Sequence, residues 1–218
     1  MKRLILFRSL LLTLGAFLLF SGISALGQVN ETRVTGGLYC PKSQFVTPVM
    51  VTSIENVDSI SLTLIFPSQT LTYLSYRQVN PLLLTGFPTV EAIFTWKSAA
   101  PISITNDKLL ELIFETGTQP GPLEWDEAVC YFRQADGGEL VSAYFSAEIT
   151  LFPSLFAEIE EIDATCAGKC DANIAAFITG GLKPYQYLWN GEPALFDSIK
   201  TGACSGINNL NITDANGC

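Results

Sequence analysis

The sequence predicts an all-β, exported protein of two domains, a two-sheet sandwich or jelly roll followed by a small disulfide-stapled β-domain. Three observations lead there. Short apolar/polar alternating runs bounded by Gly, Pro, Asn and Asp recur throughout, and no amphipathic stretch of helical period lasts three turns. All six cysteines lie beyond residue 39, four of them within residues 166–218. The chain opens with a basic, then apolar, segment typical of export.

Lys2, Arg3 and Arg8 form a basic start, and residues 10–20 are an almost unbroken apolar run, short for a membrane span of roughly 20 residues. Small residues around Ser24–Gly27 place a signal cleavage after Gly27; an uncleaved N-terminal anchor is the rival reading. No later segment approaches a membrane span. Removing residues 1–27 takes away three basic groups and no acidic one, so the net charge moves from −9 to −12. Such a surface repels phosphate backbones and anionic lipid heads, which argues against nucleic-acid or bilayer binding. An even number of cysteines in an oxidising compartment makes disulfides the expectation, with buried free thiols as the alternative for Cys40 and Cys130.

Residues 28–152 are expected to form the sandwich, from roughly eight strands. Residues 45–54 (FVTPVMVTSI) are β-branched, and Pro48, which cannot donate to a ladder, confines that run to an edge or a bulge. In residues 59–66 (SISLTLIF), Ile60, Leu62, Leu64 and Phe66 share one face and Ser59, Ser61 and Thr63 the other, the alternation of a half-buried strand. Strands follow at 71–76, 89–97 and 108–115, the last with Leu110, Leu112 and Phe114 in an inward row. Residues 124–133 and 140–151 complete the set, joined by the turn signal Asp136-Gly137-Gly138. Residues 153–165 read as a linker, and Glu158, Glu160 and Glu161 beside Ile159 and Ile162 as a solvated strand or linker face rather than a catalytic carboxylate pair.

Residues 36–152 resemble the cohesin-like domains of large secreted bacterial proteins. The resemblance rests on Val49-Met50-Val51-Thr52, the Asn-Val loop at 56–57, SISLTLIFPSQTLTYLSY and KLLELIFE. It implies a jelly-roll sandwich that binds a dockerin-like helical module across one sheet face, or the related role of a carbohydrate-binding module. Cys40 and Cys130 depart from scaffold-borne cohesins; bridged, they would remove on the order of 4–5 kcal/mol of unfolded-state freedom.

In residues 166–218, a short strand at 174–179 runs into Gly180-Gly181, where the chain reverses with positive φ. Residues 185–189 (YQYLW) alternate before the turn Asn190-Gly191, and Asn208, Leu210 and Ile212 share a face of a final strand. The stretch resembles the SprB-type repeats of bacterial surface and gliding adhesins, through Cys166-x-Gly168, Cys170-Asp171, Gly180-Gly181, Pro184-Tyr185, Tyr187-x-Trp189, Asn190-Gly191 and the closing Thr-Asp-Ala-Asn-Gly-Cys. The resemblance implies a stapled immunoglobulin-like unit with Cys166–Cys218 and Cys170–Cys204 bridges, while spacing alone leaves three pairings open. Asn208 stands where such repeats place an aromatic, and the pattern stops at Cys218 where they run on into a closing strand. The expectation is therefore an N-terminal fragment of a longer protein carrying further tandem repeats.

With no histidine in the chain, Ser-His-Asp and Cys-His nucleophile sets and His-bearing zinc sites are excluded. Cys166-x3-Cys170 as half a zinc site and Asp214-Ala215-Asn216-Gly217 as a calcium loop are each explained more simply, by a disulfide and by a hairpin turn. Asn30-Glu31-Thr32 and Asn211-Ile212-Thr213 are formal glycosylation sequons, without meaning in a bacterial protein. Trp96 and Trp125 are candidates for stacking on sugar rings, against a core role, and Trp189 reads as core. The expected function is non-catalytic, cofactor-free binding or adhesion at the cell surface, the sandwich making contacts with a glycan or protein ligand and the repeat acting as a stalk. The alternative is a carbohydrate-binding or dockerin-binding module of a polysaccharide-degrading system.

Overall fold

The computed structural model describes residues 29–83, 89–90, 92–194 and 197–218. The expected signal segment lies outside them. The strands of the first unit are β1 (Asn30–Arg33), β2 (Gly37–Tyr39), β3 (Gln44–Ile65), β4 (Leu71–Arg77), β5 (Thr89–Val90), β6 (Ile93–Thr116), β7 (Gly121–Trp125), β8 (Tyr131–Gln134), β9 (Ser142–Phe145) and β10 (Ala147–Leu151). Those of the second are β11 (Leu155–Ile162), β12 (Ala172–Gly180), β13 (Gln186–Trp189), β14 (Glu192–Ala194), β15 (Ile199–Ala203) and β16 (Leu210–Thr213).

The first unit is organised by its two long strands. β3 and β6 pair antiparallel along almost their whole length, from Gln44↔Glu115 to Thr63↔Ile93. Irregular register between Ile54 and Val57, with Asn56 at φ 54° and Asn106 at φ 47°, marks where each crosses from one layer to the other. The inward-facing parity changes there. Phe45, Val49 and Val51 are buried before the irregularity, and Ile60, Leu62 and Leu64 after it. The two strand runs expected at 45–54 and 59–66 are thus one bent strand.

One layer sets β4, the second half of β6, the first half of β3, β1 and β9 side by side. The other sets β8, the second half of β3, the first half of β6 and β5. Between them lie Leu110, Leu112 and Phe114 from the first layer and Phe94, Trp96 and Phe132 from the second. β2, β10 and β7 close a side of the sandwich. Pro48 lies in β3 one residue before the register shift at Val49/Met50 and beyond the β1 ladder, which stops at Arg33↔Met50, so no donor is missed on that side. The run expected at 89–97 divides between β5 and β6, which pair as a hairpin. The run at 124–133 breaks at Asp126, whose carbonyl accepts the N–H groups of Val129 and Cys130 at 3.1 Å.

The second unit packs β11-β12-β15 against β14-β13-β16. Residues 155–162, expected within a linker, pair with β12 along their full length, from Leu155↔Gly180 to Ile162↔Asn173. A short segment, residues 152–154, joins the units. Gly180 and Gly181 do take positive φ, 74° and 60°, and a Cβ on Gly180 would run into the Ser154 carbonyl at this junction. The core is small: Ala172, Ile174, Trp189 and Ala203.

The disulfides differ from the expected set. Cys40 pairs with Cys218 and Cys170 with Cys204, leaving Cys130 buried and Cys166 exposed as free thiols. A Cys40–Cys130 bridge fails because β3 separates the two. Cys40 lies beside Ser43 and Thr116 at one end of it, while Cys130 Sγ receives the Thr63 N–H at 3.3 Å near the other. Cys166 and Cys218 lie at opposite ends of the second unit. Cys218 adjoins Asp214, whose carboxylate receives the Leu182 N–H, and Cys166 lies beside the Cys170–Cys204 end. Cys218 instead reaches across to the first unit and ties the two together.

Candidate binding face

Trp96 and Trp125, the candidates for sugar stacking, are 3% and 5% exposed. Their rings belong to the core, where Trp125 Nε1 donates to the Phe145 carbonyl at 3.2 Å, and neither offers a flat face to a pyranose. Trp189 is likewise enclosed, donating to the Asp197 carbonyl at 3.3 Å. Asn30 of the first sequon is fully buried and donates to Thr32 Oγ1 at 3.0 Å, which removes it as a glycan acceptor. Among the described residues no cluster of three or more His, Cys, Asp or Glu side chains is placed to hold a metal, and Cys170, half of the considered zinc pair, is disulfide-bonded. Burial pushes the Cys130 thiol above its ordinary range, so it is no nucleophile at neutral pH. Among these residues, too, no helix is long and apolar enough to cross a membrane.

What remains are the two outer faces of the sandwich. On the first layer the cations are spent on neighbours. Arg33 pairs with Glu31 and stacks over the Phe145 ring at 4.2 Å. Arg77 and Lys108 both pair with Glu111, at 2.8 and 2.7 Å. Those two hydrogen bonds, Lys108 first, hold the Glu111 carboxyl below its ordinary range.

The second layer is built differently. Its central strand, the far half of β3, turns half-buried Ser61 and Thr63 outward in alternation with buried Ile60, Leu62 and Leu64, while Ser59 on the same side is itself buried. Ser61 faces Thr95 on one side and Tyr131 on the other; Ser59 faces Lys97 and Arg133. The central strand of this face therefore carries only hydroxyl side chains, bordered by Thr95 and Tyr131 at Ser61 and by two cations at Ser59. Arg133 lies over the Tyr131 ring at 4.9 Å, and neither Arg133 nor Lys97 has an ion pair among the described residues. Phe94, Trp96 and Phe132 pack beneath, so the face is backed by a packed core. The serine–threonine alternation was visible in the sequence. The cations were not, because Lys97 and Arg133 join Ser59 only through the pairing of three strands.

No family model and no curated protein matches this chain. Solved structures do, cohesins among them. The chain is similar to the third cohesin of ScaC from Acetivibrio cellulolyticus, at 14% identity and a TM-score of 0.49, over 56% of this chain and 99% of that one. It is similar to the cohesin CaCohA2 from Clostridium acetobutylicum, at 15% identity and 0.49, over 57% and 91%. The OlpA cohesin of Clostridium thermocellum matches at 12% identity and 0.48, over 57% and 100%.

Proposed function

We propose that this chain is a non-catalytic, exported binding protein. Its first unit docks a folded protein partner on the outer face of the β8-β3-β6 layer, and its second unit serves as a stalk. The observation that carries this is the row Ser61 and Thr63 in the central strand, Ser61 level with Thr95, with Lys97 and Arg133 beside buried Ser59 and without an ion pair among the described residues. A hydroxyl-bearing surface lets a helix or a sheet approach closely, and cations without an ion pair among the described residues suit a partner carrying acidic or hydroxyl groups there. The resemblance of residues 36–152 to cohesins points to a dockerin-like helical module as the partner class; the ScaC and OlpA cohesins were solved in complex with dockerins. Cell-surface adhesion or assembly is the setting this reading favours. A glycan ligand loses its support with the burial of Trp96 and Trp125.

The test is titration calorimetry of residues 28–218 against a panel of calcium-loaded dockerin modules. Binding by at least one module is expected, weakened at least tenfold, about 1.4 kcal/mol, in Lys97→Glu/Arg133→Glu and with a flatter salt dependence. Failure of every module to bind, or an affinity indifferent to the charge reversal, contradicts the proposal.

A further inference from the structure

Cys166 is an exposed thiol that stands beside a disulfide. It lies in the turn between β11 and β12, and Cys170 of the same turn is bridged to Cys204, which directly follows β15. All three residues are exposed. The two segments that carry them lie against each other. The Gly168 N–H donates to Ser205 Oγ at 3.2 Å, and the Ser205 N–H to the Lys169 carbonyl at 3.3 Å. Cys166 and Cys204 line one cavity of about 340 Å³, and among the described residues Cys170 is not part of its wall.

The local bonds hold the thiol at the bridge. Thr165 donates to the Asp171 carboxylate through its N–H at 3.1 Å and its hydroxyl at 2.6 Å, and the Lys169 N–H donates to the Cys166 carbonyl at 3.1 Å. Residues 165–171 are thereby folded into a closed turn, so Cys166 meets the bridge at high effective concentration. Both segments also have room to shift. Gly168 at φ 83° and Gly206 at φ 119° would each have nothing within 4 Å of an added Cβ. The other sulfurs are out of reach: Cys130 is buried beside Thr63 in the first unit, and the Cys40–Cys218 bridge lies at the opposite end of the second.

We infer that Cys166 and the Cys170–Cys204 bridge form a thiol–disulfide exchange site, in which Cys204 alternates between Cys170 and Cys166. The Cys166 thiol gives its proton to water, and the thiolate attacks Cys204 Sγ. The Cys166–Cys204 bond forms as the Cys170–Cys204 bond breaks, and the electron pair leaves on Cys170 Sγ, which takes a proton from water. No oxidant or reductant is consumed, and the number of free thiols stays the same. Attack falls on Cys204 rather than Cys170 because Cys204 shares the cavity with Cys166. The new bridge spans only four residues more than the 34 of the old one, and because closure entropy grows with the logarithm of loop length, it does not choose between the two. The exchange moves the staple from the start of β12 to the segment after β11, the edge strand of its sheet, and leaves an exposed thiol in either state. It does not depend on the binding face proposed for the first unit.

The test is alkylation of the folded chain, residues 28–218, at about pH 8, where thiolate is present, with iodoacetamide dilute enough to react over hours. Acid quenching, pepsin digestion and mass spectrometry then locate the label and the bridges, and Trp189 fluorescence confirms that the unit stays folded. Label is expected on Cys166 and also on Cys170, the chains labelled at Cys170 carrying a Cys166–Cys204 bridge. In Cys166→Ser the label on Cys170 is expected to fall at least tenfold. In the parent chain the rate at which Cys170 is labelled is expected to be unchanged by tenfold dilution of the protein. Label confined to Cys166, label on Cys204 with a Cys166–Cys170 bridge, undiminished labelling of Cys170 in Cys166→Ser, or a rate that falls with dilution overturns the proposal.

Discussion

Replacing Cys40 and Cys218 together by serine removes the covalent tie between the two units without leaving an orphan thiol. The bridge joins residues 178 apart. Closing a loop of that length removes about 5 kcal/mol of unfolded-chain freedom on the chain-entropy model. The nested Cys170–Cys204 bridge shortens the effective loop by 34 residues, a logarithmic correction of roughly 0.2 kcal/mol. A loss of this size is a large part of the 5–15 kcal/mol typical of a folded domain. Urea unfolding without reductant measures it, and tryptophan fluorescence follows both units, since Trp96 and Trp125 belong to the first core and Trp189 to the second. The serine variant is expected to lose most of that 5 kcal/mol, and a thiol titration of the denatured parent to find two free thiols, Cys130 and Cys166. A loss under about 1 kcal/mol would refute the entropic reasoning, and a different thiol count would refute the pairing.

Three further outcomes follow from the packing. Trp125→Ala removes a ring from the first core and its bond to the Phe145 carbonyl, so it should cost roughly 3–5 kcal/mol in urea unfolding, with no specific effect on retention by polysaccharide. Gly180→Ala forces a Cβ against the Ser154 carbonyl at a positive φ. It should destabilise the second unit by about 1–3 kcal/mol, read from the Trp189 transition. Burial alone would raise the Asp214 carboxyl, but the Leu182, Cys218 and Asn216 N–H groups it accepts hold it below its ordinary range. A depressed folded-state value contributes stability above the unfolded value near pH 4 that is lost as pH falls. Asp214→Asn should therefore cost more at pH 7 than at pH 2.5, roughly 1–3 kcal/mol at the higher pH, as the two urea midpoints will show.

Local alternation is legible because it reports a strand's own burial. Ile60, Leu62 and Leu64 inward with Ser61 and Thr63 outward needed nothing beyond their order, and neither did the reversal at Gly180-Gly181. What was not legible depends on other segments. Asn56-Val57 reads as a loop, yet the strand bends through it because β6 follows the same bend and keeps the ladder paired. The row Leu155–Ile162 is exposed on both faces, which makes its composition look like a linker's; only its pairing with β12 shows it to be a sheet edge. Cys218 finds Cys40 because of how the units meet, which no spacing within residues 166–218 encodes. The strand setting of Trp96 and Trp125 favoured a core over a sugar platform without excluding the platform, and both rings are buried.

The central claim is that the β8-β3-β6 face, and not the opposite one, meets the partner. It is tested most directly by titrating one dockerin module that binds the parent chain into two variants, Ser61→Trp in the centre of that face and Met50→Trp on the outer face of the other layer. The account predicts that Ser61→Trp abolishes measurable binding while Met50→Trp leaves the affinity within twofold, both variants keeping the parent unfolding midpoint. The reverse pattern, or equal affinity in both, would contradict it.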